Sequence, residues 1–125
     1  MEYVYFKSGN DLGVADATTG RLVSLGYLEG YMVRSVEQLP SENACIVLLN
    51  GDEGLGARER RFRNLCYYAH ERGTIWRAEL PTTSGVDHYV SFSVNGGQLF
   101  GNSWSAYYVE LDVASGKIQA KTFTK

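Results

Sequence analysis

Two cysteines and two histidines are the side chains of this sequence best suited to nucleophilic, acid–base or metal chemistry. Cys66 and His70 have even spacing, so on one strand they would share a face. Four residues of strand span roughly 13 Å, too far for the hydrogen bond that a Cys–His nucleophile needs. Cys45 and His88 add no zinc-ligand spacing, and the histidines are expected to be polar residues at strand ends. We therefore predict no enzyme, no metal and no cofactor.

The glycine-rich and serine-containing segments give no stronger catalytic pattern. Neither residues 51–56 nor residues 95–97 are followed by the Gly-Lys-Ser/Thr of a phosphate loop. Ser103 and Ser105 lack the surroundings of a nucleophile elbow. The two cysteines are too few for a disulfide framework. They are expected to be buried reduced thiols, with a cross-strand disulfide as the lesser alternative.

Residues 51–63 are the unusual segment of the chain. The first part is acidic and rich in glycine, and the second part carries arginines around one aromatic residue. Arginine offers a planar fork to carboxylates and phosphates, and arginine beside an aromatic residue is typical of binding hot spots. We predict that this loop binds a protein partner through Asp52, Glu53, Arg58, Glu59, Arg60, Arg61, Phe62 and Arg63. The alternative is a solvated hairpin extension whose arginines pair with nearby Asp and Glu.

Three similar turn segments, here called corners, predict the β-hairpins that position this loop. They are residues 16–20 (Asp-Ala-Thr-Thr-Gly), 69–73 (Ala-His-Glu-Arg-Gly) and 112–116 (Asp-Val-Ala-Ser-Gly), each between two apolar runs. An opening Asp can accept backbone N–H groups two or three places on, and a closing Gly can adopt positive φ. The corners therefore predict three hairpins of one type within a repeated sheet unit.

Apolar patterning predicts an all-β fold of about eleven antiparallel strands in one domain, residues 1–125. The repeat units cover about 1–26, 31–81 and 86–124, and a β-sandwich or an open barrel is the alternative fold. Residues 44–49 are apolar on both faces and should form a central, doubly covered strand. The predicted strands are 2–7, 11–16, 21–25, 31–38, 44–50, 64–70, 74–80, 88–95, 98–103, 106–112 and 117–123.

The strand–Asp-x-x-(Thr/Ser)-Gly–strand pattern resembles the repeats of quinoprotein-like and WD40-like β-propellers. That family often places a Trp shortly after the Gly. In this sequence only the middle copy has such a residue, Trp76. The resemblance implies three partial propeller blades, fewer than the four to eight of a closed ring. No residue matches a quinone site, so that function is not implied. A scaffold or sensor subunit that assembles with another chain is the function that this resemblance suggests.

Composition favours a binding protein over other classes. A formal net charge of −2 argues against a nucleic-acid binder, and no run approaches the ~18 apolar residues of a membrane span. The start of the sequence lacks the features of a signal peptide, so we expect a cytoplasmic protein.

In size and style the chain is similar to small bacterial immunity proteins, which bind and neutralise one cognate toxin. That similarity makes a toxin domain the expected partner, for example a contact-dependent inhibition nuclease. A homodimer is left open.

Overall fold

The computed structural model describes residues 1–50 and 60–124, which form eleven strands and one short 3-10 turn at Pro40–Glu42. The predicted all-β fold with its eleven antiparallel strands is confirmed. The strands are β1 (Tyr3–Ser8), β2 (Asp11–Asp16), β3 (Leu22–Gly26), β4 (Val33–Leu39), β5 (Ala44–Leu49), β6 (Leu65–Ala69), β7 (Gly73–Arg77), β8 (Tyr89–Asn95), β9 (Gln98–Ser103), β10 (Tyr107–Leu111) and β11 (Ile118–Phe123).

The strands form three separate antiparallel sheets in which neighbours in sequence are neighbours in space. Sheet 1 contains β1–β2–β3, sheet 2 contains β4–β5–β6–β7, and sheet 3 contains β8–β9–β10–β11. No closed barrel forms within the part of the chain that the structure describes. Three meandering sheets in a row agree loosely with the layout of propeller blades.

The three corners join the last two strands of each sheet, as their sequences predict. Gly20, Gly73 and Gly116 have φ of 74°, 79° and 74°, a region that favours glycine. In the first and third corners the opening aspartate accepts backbone N–H groups at 2.8 to 3.2 Å. The middle corner begins with Ala69, which has no carboxylate, and closes through the Arg72 N–H and the Ala69 carbonyl at 3.0 Å. Each of these three hairpins also has one register shift.

Sheet 2 is the middle layer, and its strand β5 is buried along its whole length. One face of β5 packs with sheet 1 in a cluster that includes Tyr5, Val14 and Val47. The other face packs with sheet 3 in a cluster that includes Ile46, Tyr89 and Leu99. The predicted central, doubly covered strand is therefore confirmed.

One buried amide joins sheet 2 to sheet 3. Asn64 precedes β6, and its Nδ2 donates to the carbonyls of Leu49 at 2.9 Å and Tyr89 at 2.8 Å. Its Oδ1 accepts the Tyr89 N–H at 2.7 Å. Because Leu49 ends β5 and Tyr89 begins β8, a single side chain fixes the position of one sheet against the other.

Two amide side chains, one on β4 and one on the link between β4 and β5, bind the free edge of β1. Gln38 Oε1 accepts the Tyr5 N–H at 3.0 Å, and its Nε2 donates to the Tyr3 carbonyl at 3.1 Å. Asn43 Oδ1 accepts the Tyr3 N–H at 2.8 Å. These contacts satisfy backbone groups that a neighbouring strand would otherwise bind, since buried backbone groups need partners.

We expect Asn64→Ala to lower the free energy of unfolding by about 3 kcal/mol, because the Tyr89 N–H and two carbonyls would lose their partners while remaining buried. Urea denaturation measures the change. Asn102→Ala is the matched control, since the Asn102 amide is exposed and donates to the Ser91 hydroxyl at 3.1 Å. Equal losses for the two variants would contradict the role given to Asn64.

Cys45 and Cys66 are free and buried, so the structure contains the reduced thiols and not the alternative disulfide. Burial raises the pKa of the Cys66 thiol to about 12 and also raises the pKa of Cys45. Unfolded thiols ionise near pH 8.5, whereas these stay protonated in the folded state. The free energy of unfolding should therefore fall as pH rises above about 9.

We expect the double variant Cys45→Ala, Cys66→Ala to lose less stability between about pH 9 and pH 11 than the parent chain, by up to about 1.4 kcal/mol per pH unit for each thiol. Urea titrations at several pH values give the two slopes. Identical slopes would show that thiol ionisation does not oppose folding.

Candidate partner-binding site

A buried carboxylate organises one end of the molecule where sheets 2 and 3 meet. Asp87 is fully buried between β7 and β8. Its carboxylate accepts the hydroxyls of Thr82 and Ser105 and the backbone N–H groups of Ser105 and His88, the last three at 3.0 to 3.3 Å. Several donors around one acceptor fix these segments relative to each other, because hydrogen bonds to a charged group are strong.

The chain that leaves the predicted binding loop runs beside Asp87. The Asp87 N–H donates to the Arg60 carbonyl at 2.8 Å, and the Phe62 N–H donates to the Asp87 carbonyl at 2.9 Å. Arg61 and Asp87 form an isolated parallel bridge. The end of the loop and the Asp87 network are therefore one structural unit.

An exposed tryptophan lies on the same unit. Trp104 follows β9, is 61% exposed, and stacks on the His88 ring with centroids 5.6 Å apart and planes 18° apart. The backbone N–H of Trp104 donates to the backbone carbonyl of His88 at 2.7 Å. The neighbouring hydroxyls of Ser103 and Ser105 are 2.7 Å apart, and Ser105 binds Asp87. A large exposed ring whose support is fixed can bind with little loss of conformational entropy.

The two arginines at the end of the predicted loop bind backbone carbonyls rather than carboxylates. Arg61 donates to the Thr82 hydroxyl at 3.2 Å and to the carbonyls of Thr82 and Gly85. Arg63 donates to the Ala78 carbonyl at 3.1 Å and to the carbonyl of Arg77. These contacts hold the loop end against residues 77–85 while both side chains stay at the surface.

Arg61 and Arg63 line a cleft of about 400 Å³ between the end of sheet 2 and β11. Lys117 and Glu79 complete its charged lining, with Thr82, Thr83 and Leu80 between them. The Glu79 carboxylate accepts the Ile118 N–H at 2.9 Å. Three cations and one anion in this lining favour an anionic group in the cleft.

The remaining predicted contact residues are placed as follows. Phe62 is buried, with its ring centroid 4.6 Å from that of Tyr31, so it belongs to the core and offers no surface to a partner. Arg60 is exposed beside Asp87. The predicted contacts Asp52, Glu53, Arg58 and Glu59 lie outside the described residues, and for them the prediction stays a prediction.

Residues 1–50 and 60–124 contain no group of three or more His, Cys, Asp or Glu that could hold a metal ion. His70 packs against Tyr3 with ring centroids 4.8 Å apart. None of the helical segments described is long and apolar enough to cross a membrane.

The family model described as "Domain of unknown function (DUF7957)" matches residues 31–123. This chain belongs to that family. The matched residues comprise sheets 2 and 3, including Asn64, Asp87 and Trp104, while sheet 1 lies outside the match.

The crystal structure of the computationally designed Ika8 protein has a similar fold, with a TM-score of 0.60 over 100% of this chain. The match covers 35% of the designed chain, so this chain spans about a third of its length. At 9% identity the likeness shows the fold alone. No curated protein matches this sequence.

Sequence reasoning missed the Asp87–His88–Trp104 unit. Residues 104 and 105 (Trp-Ser) stand between the predicted strands 98–103 and 106–112, and a Trp in so short a turn is a signal of an exposed aromatic residue. Asp87 carried no such signal, because its role depends on hydrogen bonds from residues five and eighteen positions away.

We expect Asp87→Asn to lower the free energy of unfolding by about 2 kcal/mol, since two backbone N–H groups would lose a charged acceptor. Urea denaturation measures the effect. Asp11→Asn removes an equal charge at the start of β2 and serves as the control. A loss no larger than that of the control would contradict the organising role of Asp87.

Proposed function

We propose that this chain is a non-catalytic protein-binding domain whose contact surface is centred on Trp104. The observation that carries the proposal is the exposed Trp104 ring, held on His88 beside the buried Asp87 carboxylate. Tryptophan and arginine are enriched among residues that dominate binding energy. Trp104 and the exposed Arg60 belong to the same Asp87-centred unit, which fits such a surface.

The charge of the adjoining cleft suggests the chemistry of the partner. Thr82 contacts both Arg61 in the cleft and Asp87, which also binds Ser105 next to Trp104, so one hydrogen-bond network joins the cleft to the tryptophan. A partner that covers Trp104 would reach the cleft with an adjacent segment. Aspartate or glutamate side chains of the partner would complement Arg61, Arg63 and Lys117 and would increase the association rate.

A bacterial toxin domain is the partner that we propose, with this chain acting in the cytoplasm as its immunity protein. The small size, the β-rich composition and the lack of a recognisable catalytic motif support this proposal by analogy. The second candidate is a scaffold or sensor subunit of a larger propeller-like assembly. The three blade-like sheets and the fold match to a third of a longer chain favour that candidate.

Titration calorimetry with the C-terminal domain of the protein encoded immediately upstream tests the proposal, because an immunity protein is expected to bind the product of the neighbouring gene. We expect the parent chain to bind this domain and Trp104→Ala to weaken binding by about tenfold to a hundredfold, as for a hot-spot residue. Tyr27→Ala is the matched control, because Tyr27 is 54% exposed but lies on the link after β3.

No binding by the parent chain would overturn the toxin proposal. Binding that Trp104→Ala leaves unchanged would overturn the proposed surface. A partner that instead supplies further β-sheets would favour the scaffold function.

A further inference from the structure

Strand β11 has an unpaired backbone edge. It lies at the end of sheet 3 and pairs only with β10 among the residues that the structure describes. The Thr124 N–H donates to the Ala106 carbonyl at 2.8 Å, so Thr124 and, two positions back, Thr122 direct their backbone groups toward β10. The backbone groups of Lys121 and Phe123 therefore point to the opposite side, away from the ladder. An edge of this kind can accept a further strand from another chain.

A groove runs along this edge. The cleft lined by Arg61, Arg63 and Lys117 continues into a second compartment of about 430 Å³ between residues 79–83 and residues 118–121. Both compartments are lined by side chains of the 79–83 segment, so they form one continuous groove. A groove with a strand edge as one wall is suited to an extended segment, which can pair with that edge.

The contacts across the groove show which part of the edge is open. The Glu79 carboxylate accepts the Ile118 N–H at 2.9 Å and so takes the place of a carbonyl from a neighbouring strand. Lys121 is opposite the buried Val109 in the ladder, so its side chain lies on the inner face of sheet 3 and leaves the backbone edge uncovered. The edge is therefore closed at Ile118 and open at Lys121 and Phe123.

The charges of the groove favour an acidic segment. Four cations and one carboxylate line it: Arg61, Arg63, Lys117, Lys121 and Glu79. The Lys117 ammonium has no hydrogen bond or ion pair with any residue in the described part of the chain, so it is available to a ligand. A lysine on an edge strand disfavours strands that would bury its charge unpaired, whereas a strand that carries carboxylates would neutralise it.

We infer that an extended acidic segment of the partner pairs with β11 as a fifth strand of sheet 3 and places its carboxylates near Lys117 and Arg63. The ladder is short, because the open edge comprises Lys121 and Phe123, each of which can exchange two backbone hydrogen bonds. The ladder supplies affinity, and the cations supply the preference for an acidic sequence. That the segment belongs to a protein partner rests on the proposed function, whereas its chemistry rests on the groove.

Three synthetic octapeptides with blocked termini test the inference by NMR titration of the parent chain. The first alternates glutamate and threonine, and the second alternates lysine and threonine. The third is the acidic peptide with N-methyl groups on its central residues, which keeps the charge but removes the backbone donors. We expect the acidic peptide to bind with a dissociation constant on the order of 1 mM, and the other two to bind about tenfold more weakly. The amide hydrogens of Lys121 and Phe123 should exchange more slowly when the acidic peptide is bound.

A pair of charge variants tests the place of the carboxylates. Lys117→Gln should weaken binding of the acidic peptide about threefold, as expected for the loss of one exposed ion pair. Lys7→Gln removes an equal charge from β1 in sheet 1, so it is the matched control and should bind as the parent does. Circular dichroism confirms that both variants are folded.

No binding of the acidic peptide by the parent chain would overturn the inference. Equal binding of the N-methylated peptide would also overturn it, because charge alone would then explain the affinity. Tighter binding of a short oligothymidylate would assign the cations to a nucleic acid and would overturn it as well. Because the peptides contain no toxin sequence, strand addition can fail while calorimetry still finds binding centred on Trp104, and the two failures are distinguishable.

Discussion

The arrangement of the molecule depends on how sheets that share no ladder are held together. Each of the three sheets is complete within itself, so backbone pairing inside a sheet does not determine the position of the next one. Asn64 supplies that missing constraint between sheets 2 and 3 with three hydrogen bonds to strand ends. Trp76 adds a second link through its Nε1 donation to the Val113 carbonyl at 2.8 Å. The setting of sheet 3, and with it the place of Trp104, follows from these contacts.

Much of the fold could be predicted because its signals are local. The Asp and Gly of residues 16–20 and 112–116 determine their turn by contacts within five residues, and the alternation of apolar residues marks each strand. β7 ends earlier than predicted, at Arg77, where the Ala78 N–H binds the Leu65 carbonyl and the chain then turns to the Asp87 network. The central position of β5 could be predicted from its apolar residues, but the contacts that set one sheet against the next could not, since they join residues distant in sequence.

The candidate site shows the same division between local and distant signals. The sequence directed attention to the arginines near position 60, and the structure places Arg61 and Arg63 at a cleft. It could not show that Phe62 would turn inward against Tyr31, because the pattern of an interrupted loop does not reveal which side faces the core. Nor could it join Asp87 to Ser105, since that contact forms only when β8 and β9 pair.

The attachment of β1 has a consequence for how the protein loses structure. Sheet 1 is held to sheet 2 by the side chains of Gln38 and Asn43, by the Val33 N–H, which donates to the Asn10 carbonyl at 2.8 Å, and by one buried cluster. A separate buried cluster joins sheets 2 and 3. Side-chain contacts at a sheet edge can open without breaking any ladder. Residues 1–26 can therefore open as one local unit without breaking a ladder of sheets 2 and 3, at the cost of exposing the buried cluster that they share with sheet 2. The family match, which begins at residue 31, leaves out this same unit.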